Sequence, residues 1–131
     1  VAVTQGKVAD ILFQRGQLDE ALRIRQEEEL PVYRQLGDVR SVAVTQGKVA
    51  DILFQRGQLD EALRTLRDEA LPAFRLLGDV RGLIVCRVMI AQLLAIRGQQ
   101  SDAQEIAEHL AWSWREATRM QLPEAQQIEQ L

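Results

Sequence analysis

Residues 42–64 read VAVTQGKVADILFQRGQLDEALR, and residues 1–23 are the same 23 letters without one change. The spacing between the copies is 41 residues, and the likeness continues beyond the identical block. Residues 24–41 align with 65–82, keeping Glu28, Leu30, Pro31, Arg34, Leu36, Gly37, Asp38, Val39 and Arg40. A third, worn copy starts at Leu83 and keeps the landmarks Ala91, Leu94, Arg97-Gly98-Gln99 and Ala103. Self-similarity at a fixed period of roughly 20–50 residues signals stacked supersecondary units. Repeat 1 is therefore placed at 1–41, repeat 2 at 42–82 and a divergent repeat 3 at 83–120, with a polar capping segment at 121–131 that carries Glu124, Gln126, Gln127 and Glu129.

Each unit reads as two helices. In the second unit the first helix is expected from about residue 39 to 56. Asp38 is placed to accept from the unpaired amides of its first turn. Gly57 ends it, because glycine takes the left-handed conformation cheaply. Between them Val42, Val49, Ala50, Ile52 and Leu53 form an apolar stripe at helical spacing. The second helix starts near Leu59, carries Ala62, Leu63 and Leu66, and stops at Gly78, with Asp79 capping the next unit. No stretch alternates at period two with β-branched residues, so no strands are expected. Connections of two or three residues force each pair into an antiparallel hairpin. Pro31 and Pro72 fall inside the second helices. There a proline deletes a donor and clashes with the carbonyl four residues back, at a cost of about 3 kcal/mol in an undistorted helix. A kink or short break is expected before each. The third unit has Ser113 at that place and should run straight.

The chain has 131 residues, a net charge of −3, 47% hydrophobic and 27% charged residues. That is one globular domain's worth of sequence, rich in strong helix formers. Without a basic surplus, nucleic acid is not the expected partner, and electrostatic docking on anionic lipid is not expected either. No apolar run approaches the roughly 18 residues that a membrane span needs. One cysteine, Cys86, suits a reducing compartment, and a cytoplasmic location is expected. The chain begins inside a repeat without an initiator Met and reads as a piece of a longer protein.

The block G-Q-L-D-E-A-L at 57–63 resembles the tetratricopeptide repeat, with a turn glycine, an acidic pair and then a small alanine. Gly16, Asp19-Glu20 and Ala21 repeat the pattern. The family's other small position matches Ala9, Ala50 and Ala91, and its large core position matches Leu12, Leu53 and Leu94. The period here is seven residues longer than the family's. It resembles a lengthened subclass, whose L-P-x-[FY] signature matches Leu30-Pro31-Val32-Tyr33 and Leu71-Pro72-Ala73-Phe74, each followed by Leu-Gly-Asp-Val-Arg. The resemblance implies an all-α fold, an α-solenoid of stacked antiparallel hairpins in a right-handed superhelix. It also implies a concave face, formed by the first helices, that binds a peptide or a partner helix. Carried over by position, that face comprises Val3, Gly6, Asp10, Phe13 and Gln14, then Val44, Gly47, Asp51, Phe54 and Gln55, then Val85, Val88, Gln92, Ala95 and Ile96. Lys7 and Lys48 flank it. Asp10 and Asp51 stand where some family members carry Asn for gripping a terminal carboxylate, so no preference for an acidic tail is expected.

Nothing in the chain reads as catalytic, and no cofactor is implied. His109 and Cys86 cannot assemble a metal set, and phosphate-loop glycine motifs are absent. Cys86 reads as packed and His109 as a helix-surface residue. Asp19-Glu20, Asp60-Glu61 and Asp102 read as first-turn carboxylates that meet the helix dipole. Trp112 and Trp114 lie two apart and cannot share one helix face, so one packs and the other faces solvent. The arginines at 15, 23, 25, 34 and 40 read as a solvated, salt-bridged surface, with Glu28 and Glu69 each paired to a nearby Arg. Gly6 and Gly47 are costly in mid-helix and point to the close approach of another backbone or of a ligand. The expected function is a protein-interaction scaffold within a larger regulatory protein. The alternative is a spacer that stacks end to end, through apolar area at Val1, Val8 and Leu12.

Overall fold

The structure is a computed structural model. It describes residues 2–121 and 124–131, apart from the side chains of residues 124–126. The expectations placed on Val1, on the side chains of Glu124 and Gln126, and on residues 122–123 therefore lie outside the described residues. Helix α1 is Ala2–Gln14 and α2 covers 18–36. Then come α3, Val39–Gln55, and α4, covering 59–77. Helix α5 is Val80–Arg97; a 3₁₀ turn at Gln100–Asp102 leads into α6, Ala103–Arg119, and α7 is Glu124–Glu129. No strand occurs among the described residues, and no helix there is long and apolar enough to cross a membrane.

Local signals place these ends. The Asp38 carboxylate accepts from the Ser41 amide at 3.1 Å and from its hydroxyl at 2.7 Å. The Asp79 carboxylate accepts from the Gly82 amide at 3.0 Å. After α3, Gly57 takes φ +80°, and its amide and that of Gln58 close back on the carbonyls of Phe54 and Leu53. A side chain there would be strained, which is why the turn falls at a glycine.

The prolines do not break their helices. The α-helix widens by one residue per turn over Ile24–Glu29 and again over Leu66–Ala70, immediately before Pro31 and Pro72. The Leu30 amide donates to the Arg25 carbonyl and the Leu71 amide to the Leu66 carbonyl, five residues back in each case. This π turn shifts the hydrogen-bond register by one residue just ahead of the ring, which moves the carbonyl that would otherwise meet it. In place of the expected break, helical hydrogen bonding continues through both segments, and the disturbance before each proline takes the form of a π turn. Helix α6, with Ser113 at the equivalent place, is α-helical throughout.

The chain divides into two compact units, Val1–Ala73 and Phe74–Leu131. In the first, α1 packs on α2, α2 on α3 and α3 on α4. Ala9, Ala21, Ala50 and Ala62, the small positions of the repeat, are wholly buried where these helices approach. Val49, Ile52, Leu53, Leu63 and Leu66 fill the space between them. In the second unit α5 packs on α6 and α6 on α7. Ile84, Ala117 and Ile128 make a core there, joined by Val80, Val88, Leu110 and Trp112. Ala103 departs from the repeat pattern and is exposed. The 3₁₀ turn delays the start of α6, so Ala103 opens the helix instead of facing its partner.

Candidate functional site

In the first unit, α1, α2 and α3 enclose a cavity of about 170 Å³ lined by Asp10, Phe13, Arg25, Lys48, Asp51 and Ile52. Three of these, Asp10, Phe13 and Asp51, belong to the face expected from the repeat, and Lys48 was expected at its edge. Arg25 is the residue that sequence reading misplaced. Instead of standing in solvent it is 2% exposed. Its Nη1 donates to Glu29 Oε1 at 2.9 Å, and its Nη2 pairs with the Asp10 carboxylate. Its Nε–H has no acceptor. Lys48 Nζ lies 3.6 Å from the same Asp10 carboxylate. The repeat alignment held the missing signal. Arg25 and Glu29 occupy the places of Leu66 and Ala70, both core residues of the second repeat. Charges at core positions four apart on one helix pair with each other once burial strips their water.

Glu29 also explains Gly6. A Cβ at Gly6 would run into the Glu29 carboxylate, so a side chain makes the close approach there, in place of the expected backbone or ligand. At Gly47 nothing lies within 4 Å of that position, because Ala70 replaces Glu29. Asp51 is half-buried and makes no hydrogen bond or ion pair among the described residues. Burial pushes its carboxyl above the usual carboxylate range.

The remaining expected face residues all stay accessible. Val3 and Gln14 on α1, Val44 and Gln55 on α3, and Val85, Gln92, Ala95 and Ile96 on α5 are exposed, while Phe54 is half-buried. In the second unit Val85, Val88 and Gln92 line a cavity of about 280 Å³ that is closed on its other side by Gln127, Ile128 and Leu131 at the C-terminal end. Among the described side chains of the cap, Ile128 is buried there and Leu131 is exposed.

Other polar groups are occupied structurally. His109 is not a surface residue. Its Nδ1 accepts from Arg87 Nε at 3.0 Å, its Nε2 sits 3.0 Å from Glu105, and its side chain is 12% exposed. Arg87 also lies 4.4 Å over the Trp112 ring. Trp112 is packed, and the exposed Trp114 donates to Glu129 on α7 at 3.0 Å. Cys86 is buried, and burial pushes its thiol up to about 12, so it stays protonated at neutral pH. Asp102 does not cap α6; it takes a forked pair of bonds from Arg97 at 2.9–3.1 Å. Asp19 and Glu20 open α2, and Asp60 and Glu61 open α4. Glu28 pairs with Arg23 at 2.8 Å. Among the described residues no three His, Cys, Asp or Glu side chains converge to hold a metal ion. Comparison of the chain with protein-family models, curated proteins and solved structures returned no match.

Proposed function

We propose that the chain is a tetratricopeptide-like stack of helical hairpins that acts as a protein-interaction scaffold, holding a peptide or partner helix against its first helices. The observation that carries this reading is the repeated exposure of one apolar position. Val3, Val44 and Val85 occupy the same place in α1, α3 and α5, and all three are exposed. Exposed apolar residues recurring at one helix position are what a groove for a peptide presents. The test is selection of displayed peptides against the immobilised chain and against a Val3→Asp/Val44→Asp variant. Peptides that bind the parent and lose at least tenfold on the variant support the reading. A selection that enriches nothing above background sinks it.

A second reading, end-to-end stacking, is favoured by the identical blocks. Val8 is 40% exposed and its counterpart Val49 is 1%; Ile11 is 49% exposed and Ile52 is 1%. Leu12 is half-buried, against a buried Leu53. The same side chains are covered in α3, where α2 packs on that helix, and uncovered in α1. A face already built to receive a hairpin is thus open. Sedimentation at rising concentration decides: mass that grows for the parent and not for a Val8→Lys/Ile11→Lys variant supports stacking, and a constant monomer mass removes it.

A further inference from the structure

Two groups in the wall of the cavity between α1, α2 and α3 lack partners, and they are opposite in kind. One is an acceptor, the half-buried carboxylate of Asp51; the other is a donor, the Nε–H of the buried Arg25. The other charges there offset one another. Arg25 is held by Asp10 and Glu29, and Lys48 leans on Asp10. Together Asp10, Glu29, Asp51, Arg25 and Lys48 leave one negative charge in excess, and Asp51 is the member without a counter-ion. We infer that this cavity receives one cationic side chain, Lys or Arg, of a bound peptide, with Asp51 as its counter-ion and the Phe13 ring as its wall. The inference rests on the scaffold reading and names the chemistry of its ligand.

Size and chemistry both narrow the occupant. A space of about 170 Å³ is well below the roughly 300 Å³ at which drug-sized pockets begin, and it suits a single side chain. An apolar side chain would bury Asp51 further without a partner, at the cost of an unpaired charge. An acidic one would meet both Asp51 and Asp10. A Lys or Arg residue brings a cation for the half-buried Asp51 carboxylate. The stem of such a residue also packs on apolar surface, here Phe13 and Ile52. The equivalent residue in α5 is Gln92, so the second unit has no counterpart to this site.

The experiment uses Nα-acetyl-arginine amide as probe, with the isosteric but neutral Nα-acetyl-citrulline amide as control. Binding is read at pH 7 from the NMR shifts of the Asp51 carboxyl carbon and the Phe13 ring. Saturable shifts at both residues are expected with the arginine probe, with affinity at least tenfold weaker for citrulline. Asp51→Asn should weaken the arginine probe at least tenfold without lowering the unfolding temperature, which separates loss of the site from loss of the fold. Equal binding of the two probes overturns the proposal, as does an unchanged affinity in Asp51→Asn. Peptides selected by the chain without any basic preference, together with no probe binding, remove this inference alone. A probe held at Asp51 by a chain that selects no peptide removes the scaffold reading and leaves the cation site.

Discussion

Gly6 and Gly47 stand in identical surroundings of sequence, yet alanine should act on them with opposite sign. At Gly47 the space beyond the backbone is open, so Gly47→Ala gains only the helix propensity, up to about 1 kcal/mol. At Gly6 the added methyl meets the carboxylate that pairs with buried Arg25, and overpacking of this kind typically costs roughly 1–3 kcal/mol. Urea unfolding of the two variants checks the pair; the same sign for both would refute this account. Asp51 provides a second test. Its carboxyl is raised by burial above the usual 3.8, so the folded chain holds that proton more tightly than the unfolded chain does. The stabilisation linked to it is complete below the unfolded value and is lost as pH rises through the folded one. Asp51→Asn is therefore expected to stabilise the protein at neutral pH, with the gain shrinking as pH falls toward 4. Unfolding curves at pH 4 and pH 7 measure the difference.

Helices α2 and α4 tolerate a central proline only because a π turn precedes it. Helix α6 has no such turn. Ser113→Pro is therefore expected to cost about 3 kcal/mol or more, although it copies the residue the other two repeats carry. Ser113 is also buried, with its hydroxyl lacking a partner. Removing an unsatisfied buried polar group relieves its desolvation, so Ser113→Ala should raise stability by roughly 1 kcal/mol. Thermal unfolding of both variants checks this. The caps work in the same local way. Asp38 is held below the usual carboxylate range by its bonds to the Ser41 hydroxyl and amide, so its contribution is present at neutral pH and fades as acid protonates it.

The unit formed by residues 74–131 carries a built-in reporter of its own opening. The Cys86 thiol is buried and pushed up to about 12, chiefly by burial, with Arg75 pulling it the other way. At pH 8 a thiol reagent should modify it on the order of a thousandfold more slowly than it modifies the unfolded chain, because only opened molecules expose it. The rate should rise with denaturant in step with the loss of helix signal. Fast labelling in native buffer would mean that α5 is not covered as described.

The helices, their order and most of their ends were legible in the sequence, because those features depend on residues within a few positions of one another. The stripe at Val49, Ala50, Ile52 and Leu53, the carboxylates of Asp38 and Asp79, and Gly57 each act on their own turn of helix. Even the disturbance before Pro31 and Pro72 was foreseeable, although its form, a widened turn and not a break, was not. What the sequence alone could not place was any property set by a neighbouring hairpin. The same 23 letters bury Val49 and expose Val8, crowd Gly6 and leave Gly47 open. Arg25 belongs on a solvated surface by composition and lies in the core by position. Burial is decided by what packs from outside a segment, so only the tertiary structure separated the two copies and brought Asp51, Phe13 and Arg25 around one cavity.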